Sequence, residues 1–207
     1  MIDFKVDPSK TALIIIDLQN CFVEGYPISS PDAPLILQRL NRLAEICREN
    51  GIQVIHTAHV LRPDGSNIGV LAETIPAVRD GLINEGAVSA EFHKDLVIKP
   101  EDILLYKPRF GAFHGTDLEL ILRSKGIDTT IIGGITTNVC CETTAREGNA
   151  RDFRVLFLSD GTCCFGVGDL SHEEIQKVVC ANLGHVFAQV LTVDEVITKV
   201  SATVTAR

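Results

Sequence analysis

The chain has 207 residues, of which 45% are apolar and 22% charged, so it can bury a sizeable core and is not expected to be disordered. This length predicts a single domain over residues 1–207. The formal net charge of −8 argues against nucleic acid or an anionic membrane as the main partner.

The first residues show no basic segment followed by an apolar one, as a secretory signal would. The longest apolar runs, such as residues 12–16, fall far short of the roughly 20 residues that cross a bilayer. The seven cysteines include no C-x-x-C pair, which excludes the spacing of zinc ribbons and thioredoxin-like motifs. We therefore expect a cytoplasmic protein whose cysteines are mostly reduced and buried.

Six apolar runs alternate with segments of helical periodicity. The first run, residues 11–17, is rich in isoleucine and typical of a strand buried on both faces of a parallel sheet. Strands are predicted over residues 11–17, 52–58, 102–106, 128–133, 153–158 and 187–191, and helices over 34–50, 71–78, 116–125, 138–149, 171–182 and 193–200. This alternation predicts an α/β fold, with three layers (α/β/α) and a six-stranded, mainly parallel sheet.

Turn and cap residues set several of these boundaries. Gly51 ends the first long helix, and Ser159-Asp160-Gly161 is predicted to end the fifth strand. Ser171 and Glu174 have the spacing of a capping box, which predicts a helix start. Residues 60–100 are the least regular part, and an insertion of this length predicts a lid or a subunit contact.

Three ionisable residues follow predicted strands. Asp17 ends the first strand, Lys107 ends the third, and Cys140 opens the helix after the fourth. Ligands of parallel sheets bind at the carboxyl ends of the strands, so these side chains are expected to meet. The helix start is expected to lower the pKa of the thiol. An acid, an ammonium and a thiol together indicate nucleophilic catalysis.

Each of these residues also has a structural interpretation when taken alone. Asp17 is equally suited to capping a turn or binding a metal, and Lys107 to a solvated strand end. Cys140 is suited to packing as a small buried hydrophobic residue. Its neighbour Cys141 leaves a vicinal redox pair open as well, although adjacent cysteines form only a strained disulfide.

Three segments, in this order, resemble the isochorismatase-like cysteine hydrolases: Ile-Ile-Asp-Leu-Gln-Asn at 15–20, Leu-Tyr-Lys-Pro-Arg-Phe-Gly-Ala-Phe at 105–113, and Gly-Ile-Thr-Thr-Asn-Val-Cys-Cys-Glu-Thr-Thr-Ala-Arg-Glu at 134–147. The resemblance covers nearly the whole chain and implies a Rossmann-type α/β/α fold. It implies that Asp17 is the general base, Lys107 the cation beside the thiolate and Cys140 the nucleophile. It also implies a cis peptide between Ile135 and Thr136, with the backbone N–H groups of Thr136 and Cys140 forming the oxyanion hole.

The activity implied by this resemblance is that of a metal-independent cysteine hydrolase. The substrate would be a small amide, carbamoyl or ureido compound, whose C–N bond is cleaved through a thioester without a cofactor. The resemblance also implies a homodimer or homotetramer. Two alternatives stay open: hydrolysis of an isochorismate-like vinyl ether, and a non-catalytic thiol module for redox sensing or binding.

Further residues are candidates for contacts with the substrate. Nicotinamidases of this family carry an Asp-x-His motif for a metal after the second strand, whereas this chain has His56-Thr57-Ala58-His59, so no metal is expected. Cys141 is expected to pack in its helix, and Cys163 and Cys164 to pack or to line the pocket. The substrate-binding candidates are Phe22, His59, Arg109 and Phe113.

Overall fold

The computed structural model describes residues 2–205 and is built around six strands. These are β1 (Thr11–Ile16), β2 (Gln53–His59), β3 (Ile103–Lys107), β4 (Thr129–Ile135), β5 (Arg154–Cys163) and β6 (Gln189–Leu191). They form one sheet in the order β3-β2-β1-β4-β5-β6, in which every neighbouring pair is parallel.

The strands alternate with helices of very different lengths. These are α1 (Asn20–Val23), α2 (Ala33–Glu49), α3 (Leu71–Thr74), α4 (Pro76–Arg79), α5 (Leu118–Ser124), α6 (Glu142–Asn149), α7 (His172–Val186) and α8 (Val193–Thr205). Short 3₁₀ turns occupy Pro8–Lys10 and Val88–Ala90, and a π-helical turn occupies Thr137–Cys141.

The helices cover both faces of the sheet, which confirms the predicted three-layer fold. All six residues of β1 are buried, and they alternate between two cores. Leu13 and Ile15 pack with residues of α2 and α8, whereas Ile14 and Ile16 pack with residues of α5, α6 and α7. A strand buried on both faces needs apolar residues at every position, as this run provides.

The chain starts in the middle of the sheet and builds outward in both directions. It runs from β1 to β2 and β3 on one side, then returns to place β4, β5 and β6 on the other. The strand order therefore reverses between β1 and β4, the point at which open α/β sheets bind ligands. Asp17 and the turn Thr137–Cys141 follow these two strands.

Gly134 allows β1 and β4 to lie against each other at this point. Its φ is +126°, and a Cβ added there would lie 2.1 Å from the carbonyl oxygen of Ile16. Any other residue would combine an unfavourable backbone conformation with a collision against backbone atoms.

The main difference from the predicted elements lies in β5. The strand does not end at Ser159-Asp160-Gly161 but continues to Cys163. Its pairing with β4 shifts between Phe157 and Thr162, so the intervening residues bulge out and the ladder then resumes. A glycine in a strand marks a bulge as readily as an end, and the sequence pattern does not distinguish the two.

Two helices also depart from prediction. The helix predicted from Asn138 begins with the π-helical turn, and its α-helical part starts at Glu142. The capping box at Ser171 is present, with its hydroxyl accepting from the Glu174 N–H, but α7 continues to Val186 rather than ending near Asn182. Among residues 2–205, no helix combines the length and apolar character needed to cross a membrane.

Substitution of Gly134 tests the close approach of β1 and β4. We expect Gly134→Ala to lower the free energy of unfolding by at least about 2 kcal/mol more than Gly86→Ala does. Gly86 also has positive φ (+83°), but an added Cβ would meet no atom within 4 Å, so it isolates the backbone cost. Equal losses for the two variants in urea unfolding would contradict the predicted collision.

Candidate active site

Asp17 is held in a strained conformation directly after β1. Its φ is 51°, in the left-handed region, which costs roughly 1–2 kcal/mol for a residue with a side chain. The Asp17 N–H donates to the carbonyl of Thr57 at 3.1 Å, and its Oδ1 accepts from the Thr57 hydroxyl at 2.7 Å. Strain that is maintained by surrounding contacts is typical of functional sites.

Lys107 is fully buried at the end of β3 and pairs with Asp17. Its Nζ lies 2.7 Å from Asp17 Oδ2 and donates to the carbonyls of Arg109 (3.0 Å) and Phe110 (2.9 Å). Burial alone would lower the pKa of Lys107, but the Asp17 carboxylate, together with Cys140 when that thiol is ionised, outweighs this effect and raises the pKa. The side chain is therefore an ammonium at neutral pH.

The second carboxylate oxygen of Asp17 keeps free hydrogen-bonding capacity. Oδ2 is buried and, apart from the ion contact with Lys107, makes no hydrogen bond with a described residue. An ionised carboxylate accepts several hydrogen bonds, so a lone pair remains to receive a proton.

Cys140 lies on the π-helical turn that follows β4, after a cis peptide between Ile135 and Thr136. Its side chain is 4% exposed, and burial raises the pKa of the thiol to about 12. The charge of Lys107 lowers the pKa of the Cys140 thiol, whereas the charge of Asp17 raises it further. The expectation of a lowered pKa is therefore wrong, because desolvation of the thiolate outweighs the helix start and the ammonium.

The two adjacent thiols differ in how strongly Lys107 acts on them. For Cys140, the ammonium is the largest influence that lowers the pKa. For Cys141, burial and the neighbouring anionic groups raise the pKa well above its usual range, and Lys107 has the weakest effect of all. The thiol that Lys107 can stabilise as an anion is that of Cys140.

The turn that carries Cys140 is fixed by contacts that the sequence did not reveal. The Thr137 hydroxyl donates to Gln176 Oε1, and Gln176 Nε2 donates to the Ser159 carbonyl (2.7 Å) and the Thr162 hydroxyl (2.8 Å). Helix α7 and the bulge of β5 thus hold the turn in place. The capping box located α7, but no sequence signal pointed to Gln176.

His59 ends β2 beside Asp17 and Lys107. Its side chain is 2% exposed, and burial together with Lys107 lowers the pKa to about 4, so the ring is neutral at pH 7. The ring packs edge-on against Phe110, and Nε2 makes no hydrogen bond with any described residue.

Gln19 fixes the backbone of His59 and was missed in the sequence. Its Oε1 accepts from the His59 N–H at 2.8 Å, and its Nε2 donates to the carbonyls of His59 (3.1 Å) and Ala90 (2.7 Å). The fully buried Gln19 therefore ties the loop after β1 to the end of β2 and to the insertion. Gln19 lies within the segment 15–20 that carries the family resemblance, but that segment gave no indication of its contacts.

The other substrate-binding candidates have different surroundings. Phe22 is half-buried between the sheet core and the insertion. The guanidinium of Arg109 donates to the carbonyls of Asn67 and Pro108, so it holds the insertion against the end of β3. Phe113 packs against Phe153 in the core beneath Arg151, so the prediction that it contacts the substrate is not supported.

A small apolar cluster lies over the edge of the sheet that carries Asp17 and Lys107. We call it the roof; it consists of Cys21, Leu61, Leu71, Val78 and Ile83, with partly buried neighbours that include Phe22, Tyr26 and Phe110. The insertion 60–100 contributes four of its five buried members. Beneath it, Asp17 and Lys107 have no exposed surface.

Cys163 and Cys164 line a cavity of about 490 Å³ between α2, α7 and the end of β5. Both are buried, and the sulfur of Cys164 contacts the His172 carbonyl at 3.5 Å. Gln176 lines the same cavity, so it lies behind the turn that carries Cys140. Their burial fits the expectation that these cysteines pack, whereas the cavity beside them is not lined by Asp17, Lys107 or Cys140.

The described residues do not provide a cluster of metal ligands. Within residues 2–205, no three His, Cys, Asp or Glu side chains are grouped to hold a metal ion. His56 and His59 point to opposite faces of β2, as residues of different parity do. His56 instead lies 3.0 Å from Asp102, which also pairs with Arg48 at 2.7 Å.

Comparisons with known proteins agree on one family. A model described as the isochorismatase domain matches residues 11–195. A ureidoacrylate amidohydrolase (RutB) from Methylorubrum extorquens is 29% identical, covering 83% of this chain and 77% of that protein. Nicotinamidase 3 from Arabidopsis thaliana is 31% identical, covering 92% and 90%. The crystal structure of a cysteine hydrolase from Pseudomonas syringae superposes with a TM-score of 0.93, at 30% identity over 97% of both chains.

Removing one partner of the buried ion pair should cost more stability than removing both. We expect Lys107→Met to lower the free energy of unfolding by about 3–5 kcal/mol, because the Asp17 carboxylate is left without its cation. The double variant Asp17→Asn/Lys107→Met should recover most of this loss. Additive effects in urea unfolding would show that the pair is not coupled.

His59 should make stability depend on pH. Its ordinary pKa of 6.5 is lowered to about 4 in the fold, so the unfolded chain binds a proton that the folded chain does not. The free energy of unfolding therefore falls as pH drops from 6.5 towards 4. Between pH 7 and 5, we expect the loss to exceed that of His59→Leu by about 2 kcal/mol. Parallel pH profiles for the two proteins would refute this.

Proposed function

Because the chain belongs to the isochorismatase family, we propose that it is a metal-independent cysteine hydrolase that cleaves the C–N bond of a small amide, carbamoyl or ureido compound. The observation that carries this proposal is the buried ion pair of Asp17 and Lys107 acting on the thiol of Cys140. A nucleophile, a base and a cation are then available in one desolvated site.

In the first step, Cys140 attacks the substrate carbonyl. A thiol with a pKa of about 12 is protonated at neutral pH, so its proton must leave as the S–C bond forms. Asp17 Oδ2 has the free lone pair to take it. Lys107 stabilises the negative charge on sulfur during the transfer. General-base assistance replaces a preformed thiolate in this scheme.

The negative charge then moves to the carbonyl oxygen. The N–H groups of Thr136 and Cys140 are the proposed donors to this oxyanion, each contributing about 3 kcal/mol. The Thr136 N–H already lowers the pKa of Cys140 as a hydrogen-bond donor, which supports its position beside the reacting atoms.

Collapse of the tetrahedral intermediate breaks the C–N bond. Asp17 returns its proton to the departing nitrogen, which leaves as ammonia or an amine, and a thioester of Cys140 remains. Water then attacks the thioester and gives its proton to Asp17. The S–C bond breaks, the thiolate recovers the proton from Asp17, and a carboxylic or carbamic acid is released.

The relatives support this class of substrate. One carries the name of a ureidoacrylate amidohydrolase and another that of a nicotinamidase, so both are named for C–N bond cleavage in non-peptide amides. Vinyl-ether hydrolysis would need only Asp17 and Lys107. Because Asp17 and Lys107 both act on the pKa of the Cys140 thiol, we favour the amide reaction.

Access to the site and assembly complete the proposal. The roof covers the triad, so the insertion 60–100 acts as a lid that must shift to admit the substrate. The exposed apolar residues Leu104 and Tyr106 on the edge strand β3 are compatible with a homodimer or homotetramer. A cytoplasmic location is also part of this proposal.

Substitution of each adjacent cysteine tests the assignment. We expect Cys140→Ala to lower turnover by at least about 10³-fold, because no other group can form the thioester. Cys141→Ala is the matched control and should stay within about tenfold of the parent. The measurement is ammonia release over a panel of small amides and ureides.

Three results would contradict this proposal. Full activity of Cys140→Ala would remove the thioester mechanism. Loss of activity only in Cys141→Ala would move the nucleophile by one residue. Turnover of isochorismate without turnover of any amide would favour the vinyl-ether reaction.

A further inference from the structure

We infer that Nε2 of His59 accepts a hydrogen bond from the departing nitrogen of the substrate, and that the enzyme therefore prefers amides and ureides whose departing nitrogen bears hydrogen. This inference rests on the proposed function and assigns the leaving-group side of the same site. It starts from a buried imidazole that lies beside Asp17 and Lys107 and that the mechanism above does not use.

The surroundings of His59 favour one position for the hydrogen on its ring. The Pro108 carbonyl raises the pKa of His59 as a backbone hydrogen-bond acceptor, which favours a ring N–H on that side. Nε2 is the nitrogen without a partner among the described residues. In a neutral imidazole one nitrogen donates and the other accepts, so Nδ1 carries the hydrogen and Nε2 presents a lone pair.

The lone pair on Nε2 is buried, so leaving it without a hydrogen bond costs free energy. His59 is 2% exposed, and Phe110 packs against the ring. A buried acceptor without a donor loses its hydration and gains nothing in return. A substrate N–H that reaches Nε2 therefore restores an interaction, whereas an N-alkyl group leaves the nitrogen unpaired.

The order of strands in the sheet shows where His59 lies relative to Asp17 and Cys140. Cys140 follows β4, Asp17 follows β1 and His59 ends β2, and these three strands are consecutive in the sheet. Thr57 and His59 share one face of β2, and Thr57 already bonds to Asp17. His59 thus lies on the side of Asp17 away from the nucleophile.

The departing nitrogen must lie on that same side. Its proton comes from Asp17, while the carbonyl carbon is bonded to Cys140, so the nitrogen extends from the sulfur towards Asp17 and His59. A hydrogen bond from this nitrogen to Nε2 would also orient its lone pair towards the proton on Asp17. His59 then acts as a substrate-binding residue, held in register by Gln19.

A spectroscopic experiment tests the contact without turnover. The ¹⁵N resonance of His59 Nε2 is followed in Cys140→Ala protein during titration with acetamide, and separately with N,N-dimethylacetamide. We expect an upfield shift, as an accepted hydrogen bond produces, with acetamide alone. Equal shifts with both compounds, or none with either, would overturn the inference even if the hydrolase activity is established.

A kinetic experiment tests the preference itself. The parent, His59→Gln and His59→Leu are compared on the most active primary amide of the panel and on its N,N-dimethyl derivative, with amine release as the readout. We expect the parent to favour the primary amide by about 10²-fold or more in kcat/KM. This ratio should fall towards unity in His59→Leu and be partly restored in His59→Gln, whose Oε1 is an acceptor.

The two readouts separate failure of the inference from failure of the proposed function. A ratio unchanged in His59→Leu, with active protein, would show that His59 is only structural. If the parent shows no turnover at all, the acetamide titration alone decides, since it needs only binding. Circular dichroism and unfolding curves identify any variant that has lost its fold.

Discussion

The buried ion pair between Asp17 and Lys107 is the constraint on which the site depends. Two charges without exposed surface are tolerated only when they are paired and their remaining hydrogen-bonding groups are satisfied. Lys107 meets this condition with two backbone carbonyls of the segment that follows it, and Asp17 with the Thr57 hydroxyl. The ion pair therefore determines the shape of the loop after β3, the strained backbone after β1 and the position of the end of β2. The same two charges produce the electric field around Cys140.

The close contact of β1 and β4 brings the thiol into that field. Gly134 removes the side chain that would separate the two strands, and the turn Thr137–Cys141 follows immediately. Gln176 then fixes this turn from the opposite direction, through α7 and the bulge of β5. Cys140 is thus positioned by the sheet on one side and by a helix on the other, and neither Gly134 nor Gln176 carries a charge.

Much of the fold followed from the sequence because buried parallel strands require continuous apolar runs, as in residues 11–17. The meeting of Asp17, Lys107 and Cys140 at one edge of the sheet was predictable, because each residue ends or follows a predicted strand. The bulge in β5 was not predictable, since Gly161 has the same sequence signature in a bulge and in a strand end. The packing of Phe113 against Phe153 was not predictable either, because a motif does not show which way a ring points. The direction of the pKa shift at Cys140 depends on total burial, which is a tertiary property.

The roof also affects how a thioester formed beneath it would partition. In the proposed mechanism, bulk water would reach the acylated sulfur only when this apolar cluster moves, whereas the amine just released would already be inside the compartment. Any nitrogen nucleophile retained there competes with water on favourable terms, because its effective concentration is high. An enclosed site would therefore also promote re-formation of the amide and transfer of the acyl group to other amines. The mobility of the roof would decide whether water or an amine attacks the thioester.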